Sequence, residues 1–273
     1  MLPHYSPMKV AEVFRMLDTL APERIDLGLG RAPGGDARTA AALQAGPKAW
    51  PTEVFPQQVE MLIQFLEDAA GLSGEDGGFP DKHPYQGIRA QPLGEHMVPM
   101  YMLGTGGDGA YHAGQFGLPY VYAHFINPDN LETALRAYRA HFQPSRFLDA
   151  PRVMMAVSAL AADSEEEAKH FSKPRDIWVA QLFQNRAGRL PTLAEAEAYQ
   201  PTDDEAAQID LIAQRGLAGT GNQILERLDA FHKEHAIDEF FLLTLTPDAA
   251  IRKNSYTLMS RAAGLNRAAE AAE

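Results

Sequence analysis

Arg24-Ile25-Asp26-Leu27-Gly28-Leu29-Gly30-Arg31-Ala32-Pro33-Gly34 reads as a buried parallel strand that stops abruptly in a glycine-rich turn carrying one arginine. A strand end of this kind lets backbone and one fixed cation approach an anion closely. A second strand with a glycine-rich exit, Val98 to Gly109, follows about 70 residues later, a gap long enough for several helical turns. Two such exits on one sheet predict a phosphate-bearing ligand at the carboxyl ends of parallel strands.

Outward from these two exits, strand and helix signals alternate. Ser6-Pro7 followed by Val10, Val13, Phe14, Leu17 and Leu20 predicts a capped amphipathic helix with that apolar stripe inward. A helix over 55–70 presents Val59, Leu62, Ile63 and Leu66 on one face. The span 71–94 is rich in Gly and Pro and reads as loop. Strands are expected at 25–30, 98–103, 120–125, 152–161 and 239–246, each followed by a helix. Gly117 is placed to stop the helix that begins near Gly107. Asp163-Ser164-Glu165-Glu166 marks a helix start with acids at the positive dipole end. Residues 185–218 read as a polar excursion with one or two short helices, and the Ala- and Glu-rich tail 266–273 as frayed. Continuous apolar strands between helices mean a parallel sheet covered on both faces, barrel or open.

Composition narrows the function classes. The 273 residues carry a net charge of −12, which argues against nucleic acid and anionic membrane as partners, since phosphate neutralisation needs clustered Lys and Arg. With no cysteine there are no disulfides, thiolate nucleophiles or Cys-type metal centres. Met1 to Pro7 lacks a charged and apolar leader pattern, and no apolar run approaches the roughly 20 residues that span a bilayer, so a cytoplasmic protein is expected.

Gly104-Thr105-Gly106-Gly107-Asp108-Gly109 matches G-x-G-x-x-G between a strand and a helix. A dinucleotide site also needs an acid at the end of the next strand, and that strand ends Tyr122-Ala123-His124-Phe125. A phosphate at a helix N-terminus needs only backbone N–H groups and the dipole, which suits the turn better. The other reading is a tight turn that needs glycine for its backbone angles. Gly28-Leu29-Gly30-Arg31 fails the dinucleotide pattern because Pro33 occupies the third glycine's place. Arg31, directly after a buried strand, requires a partner, either a carboxylate or a ligand phosphate.

None of the nine histidines stands in H-x-x-x-H or H-E-x-x-H spacing, so no metal site is expected. His232 and His235 share a charged helix face and read as solvated, as do the pairs Glu67-Asp68 and Asp203-Asp204. His124 differs: it ends an apolar strand, where it either touches substrate or cofactor or is a satisfied structural histidine. No G-x-S-x-G is present.

Met1 to Glu12, Arg24 to Gly34, Met102-Leu103-Gly104-Thr105 and Gly117-Leu118-Pro119, in this order and continuing to Ser255-Tyr256, resemble the bacterial luciferase-like flavin monooxygenases, in particular their single-subunit branch. The resemblance implies a (β/α)8 barrel over 1–273 with a late insertion. It implies reduced FMN supplied by a separate NAD(P)H-dependent flavin reductase, with a deazaflavin as the less favoured cofactor, and O2 used to oxygenate a small organic substrate. Arg31 and the turn Gly104, Thr105, Gly106, Gly107 and Gly109 would hold the flavin phosphate, although the family's usual Leu-Gly-Ser-Ser turn is altered here. His4, Tyr5 and His124 would line the flavin or substrate side, His4 and His124 as the catalytic candidates. Family members carry roughly 60 more residues, about two β/α units, before the segment that matches Met1. The expectation is therefore a barrel short of its first two to three strands, completed by homodimerisation. An alternative is a flavin-binding protein or fragment with impaired turnover. A phosphosugar-type barrel enzyme would instead need a Lys or carboxylate at the strand ends, which is not found there.

Overall fold

The computed structural model describes residues 1–32, 42–43, 52–72, 79, 82–184, 186 and 188–265. The expectations for Pro33, Gly34 and the tail 266–273 lie outside these residues. The chain folds as two compact units, one of Met1–Tyr122 and Glu132–Arg152, the other of Ala123–Leu131 and Val153–Glu273.

The first unit is built on three parallel strands, β1 (Leu27–Gly30), β2 (Met100–Gly104) and β3 (Tyr120–Ala123), in that order. Leu27, Leu29, Met100, Met102 and Tyr120 are buried, as continuous apolar strands under helices require. α1 (Pro7–Leu20) and α2 (Phe55–Ala69) pack together, and α2 buries Phe55, Val59, Leu62 and Leu66. α3 (Gly107–Gln115) follows β2 directly and stops at Gly117. That residue has φ +60°, and a Cβ there would lie 2.5 Å from the Gln143 carbonyl oxygen, so the position admits only glycine. α4 (Leu131–Ala140) carries Tyr138, whose hydroxyl donates to the Leu118 carbonyl (2.9 Å) and accepts from the Arg152 N–H (3.1 Å), fixing the entry to β3.

Three expectations fail in this unit. Ser6 stands at the N-cap of α1, but its side chain makes no capping hydrogen bond. The α1 stripe does not face inward as a whole: Val10 and Phe14 are half-buried, while Val13, Leu17 and Leu20 are exposed, Leu20 at 83%. The buried positions are Ala11, Arg15 and Asp18. Arg15, 2% exposed, donates to Asp18 (2.8 Å) and to the carbonyls of Pro92 (3.2 Å) and His96 (2.8 Å). These fixed acceptors set the helix's rotation, because a buried guanidinium without them is far costlier than a few exposed leucines. Nor is Glu67-Asp68 solvated. Asp68 is buried beside Arg89 (3.5 Å), and Glu67 pairs with Arg146 (2.9 Å), its carboxyl pushed up first by burial and pulled back by that arginine. Asp203 and Asp204 are exposed.

The second unit centres on β4 (Val153–Ala161), buried along its length except at Ser158. It pairs in parallel with β6 (Glu239–Leu243) over residues 154–158 and with β5 (Leu217–Gly219) over 159–161. Between them run α5 (Glu165–Phe183), α6 (Leu193–Ala198), α7 (Asp203–Arg215) and α8 (Gly221–His235), and α9 (Ala249–Ala262) follows β6. α5 is capped as expected, Ser164 accepting from the Glu167 N–H at 3.1 Å. Six strands stand among the described residues rather than five, the addition being β5 at the end of the 185–218 span. Three residues are too few to show a period, so β5 left no pattern in the sequence. Among the described residues, no helix is long and apolar enough to cross a membrane.

Candidate functional site

β1 and β2 run in register, Gly30 opposite Leu103, so the chain leaves both strands at the same edge. Arg31 and the turn 104–109 therefore meet: the Arg31 guanidinium lies 3.0 Å from the Asp108 carboxylate in the first turn of α3. Asp108 is exposed and Arg31 is about one-third exposed (36%), and an ion pair this open to water contributes only about 0–1 kcal/mol. It is a contact that a stronger anion can replace at small cost.

The glycines of the two strand exits serve different ends. A Cβ on Gly28 would meet the tip of the Leu103 side chain at 2.9 Å, and one on Gly30 the Met1 sulfur at 2.8 Å, so glycine lets these two flexible, partly exposed side chains lie against β1. The same contact sets the amino-terminal turn (Leu2–His4) beside the end of β1, with His4 buried and Tyr5 exposed. At Gly106, Gly107 and Gly109 a Cβ would meet nothing within 4 Å, and none of the three has a positive φ. Neither packing nor backbone geometry requires glycine there. The three leave open space over the first turn of α3, whose N-cap, Gly106, provides no side-chain hydrogen bond to the turn's N–H groups.

Two side chains at this edge were not singled out in the sequence. Tyr120 is fully buried, its hydroxyl makes no hydrogen bond, and that oxygen would lie 3.7 Å from a Cβ on Gly104. Burial, with Tyr122 beside it, pushes the phenol well above its usual range, so it remains a proton donor. Tyr-Val-Tyr-Ala reads as plain core strand, and nothing in that pattern marks one hydroxyl as lacking a partner. His112 on α3 stands edge-on to Phe55, and burial followed by the Arg31 charge holds its imidazole below the usual value. Its signal, a histidine one turn beyond the glycines, was present but unspecific.

His124 belongs to the second unit. It is buried and edge-on to Phe231 (5.2 Å). Burial first, then the charges of Arg227 and Arg215, lowers its affinity for a proton, while Asp129, paired with Arg215 at 2.7 Å, opposes them. The ring is thus neutral near pH 7. His235, expected in solvent, is half-buried against Phe231, whereas His232 is exposed with its ring nitrogen 2.8 Å from the Ile237 carbonyl oxygen. Phe231 lies one turn before His235 on α8, and the stacking of the two rings covers one side of the imidazole.

Comparison with known proteins agrees with this picture. The sequence pattern of the luciferase-like monooxygenases matches residues 1–236. N-acetyl-S-alkylcysteine monooxygenase of Bacillus subtilis (strain 168) is 34% identical over 266 residues, 96% of this chain and 75% of that protein. The crystal structure of apo-MsnO8 superposes with a TM-score of 0.77 at 29% identity, covering 96% of this chain and 74% of its own. At 17% identity, the oxygenating constituent of 3,6-diketocamphane monooxygenase from Pseudomonas putida, solved with FMN, shares the fold alone (TM-score 0.62, 95% and 75% covered). Parallel strands alternating with helices, the strand-end turns and these relatives together place the chain in the luciferase-like monooxygenase family.

Proposed function

We propose that this chain is a flavin-dependent monooxygenase that uses reduced FMN and O2 to oxygenate a small organic substrate. The observation that carries the reading is the open, uncapped glycine start of α3 with Arg31 beside it. Unpaired N–H groups, the helix dipole and an adjacent guanidinium suit a phosphate monoester. A dianionic phosphate would take Arg31 from the exposed Asp108 carboxylate, and Thr105 adds a hydroxyl at the same turn. The residues present fit the group.

When bound, the reduced flavin supplies the electrons and the reactive centre for O2. The chain's own part is to anchor the phosphate through Arg31 and residues 104–109 and to exclude water from the reacting region. His4, Tyr5 and His124 belong to this proposal as residues on the flavin or substrate side, with His124 supplying a neutral ring that accepts or donates one hydrogen bond. FMN is favoured over a deazaflavin because the relatives above 30% identity that carry functional names are monooxygenases, and a ring with carbon in place of N5 activates O2 poorly. Reduced FMN arrives from a separate NAD(P)H-dependent reductase, and the working form is a homodimer.

The test is a titration of the purified chain with oxidised and with reduced FMN. Binding of either form at micromolar concentration, with flavin-coupled O2 uptake when a reductase and NAD(P)H are supplied, is the expected result. Absence of binding by both forms overturns the proposal. Binding without O2 uptake selects the reading of a flavin carrier with impaired turnover.

A further inference from the structure

The second unit contains a groove of about 660 Å³ bounded by α5, α7 and β5, and it shares no residue with the strand-end turn. Its size is that of a small-ligand site. Ile177, Ile209, Ala213 and Ala218 give it an apolar surface.

The charges around that surface divide into satisfied and unsatisfied. Lys169 pairs with Glu165 (2.5 Å), which also accepts from Gln223 (3.0 Å). Glu197 meets His170 (3.2 Å), and the buried Asp176 is held by Arg175. Lys173, Arg227 and Asp210 line the same groove, and among the described residues none of them makes an ion pair. On a chain of net charge −12, two basic side chains sharing one groove without a carboxylate partner are out of keeping with the surface around them.

We propose that this groove binds an amphipathic organic anion, a medium-chain carboxylate in the simplest case, with its head group between Lys173 and Arg227 and its apolar body on Ile177, Ile209 and Ala213. The apolar contact supplies most of the affinity, and the two cations select the charge of the head group. Asp176 is neutralised by Arg175, and Glu165 and Glu197 are occupied by their own partners, so among the described lining residues Asp210 is the unpaired acid opposing the head group.

Isothermal titration of the full chain with sodium octanoate, and with 1-octanol as the neutral probe, tests this directly. Octanoate is expected to bind about tenfold tighter than octanol. Lys173→Glu and Arg227→Glu, singly and together, are expected to abolish that preference while octanol still binds. Both side chains are exposed, so neither change disturbs packing. Ala213→Trp on α7, which fills the groove without changing charge, is expected to weaken both probes about tenfold or more. No octanoate binding up to about 10 mM, equal affinity for the two probes, or a preference that survives the charge reversals each overturns the proposal.

Discussion

Gly109 separates two demands that a glycine can serve. Its φ lies outside the left-handed region and its Cβ direction is empty, so the protein alone does not need it. Gly109→Ala therefore stabilises the ligand-free chain by about 0.5–1 kcal/mol, the usual gain for replacing glycine within a helix. The same methyl enters the space assigned to the phosphate and weakens FMN about tenfold. Urea denaturation and flavin titration on the one variant check both signs, and a loss of stability together with unchanged binding contradicts the assignment. Arg15 makes the opposite case, a residue whose whole role is structural. Arg15→Met strands Asp18 and the carbonyls of Pro92 and His96 in the interior, and a cost of about 3–5 kcal/mol is expected in the urea midpoint. Gly94 leaves no alternative arrangement, since a Cβ there would lie 1.7 Å from the Arg15 guanidinium.

Among the elements, those with long periods or explicit stop signals were legible in the sequence. β4 and α2 lie within a residue or two of their expected bounds, and α5 begins where its acids were expected, because a nine-residue apolar run, an i, i+3, i+4 stripe, or a capping residue followed by acids each has one structural solution. α8 shows how local the signal is: Thr220 accepts from the Gln223 N–H (3.4 Å) while Gln223 accepts from the Thr220 N–H (2.8 Å). Thr220→Ala removes half of that capping box and is expected to cost about 1 kcal/mol of stability by urea denaturation. The rotation of α1 was not legible. Hydrophobic periodicity weighs each apolar side chain alike, whereas the position is set by one arginine whose acceptors lie some 80 residues away along the chain. The candidate site was legible in part. Strand ends, glycines and arginine are local and readable, but the unpartnered Tyr120 hydroxyl and the pairing of Arg31 with Asp108 arise only when β1, β2 and β3 are side by side.

Across the whole molecule, protonation links the two units to one observable. His112 in the first unit and His124 in the second are both held below their ordinary value of 6.5, chiefly by burial. Below that value the unfolded chain takes up protons that the folded chain refuses, so folding stability falls as pH drops through 6.5 and recovers as pH rises. The urea midpoint should therefore fall between pH 7.5 and pH 6, and His124→Gln should flatten that slope; an unchanged slope would contradict the burial assigned to this ring. Phosphate recognition at the strand-end turn separates FMN from riboflavin, which lacks that group. Titrated into the wild-type chain and into Arg31→Ala, FMN is expected to bind about tenfold or more tighter than riboflavin in the first and nearly equally in the second. Equal affinity for the two flavins in the wild-type chain, or a preference for FMN that persists without Arg31, would contradict a phosphate anchor at Arg31.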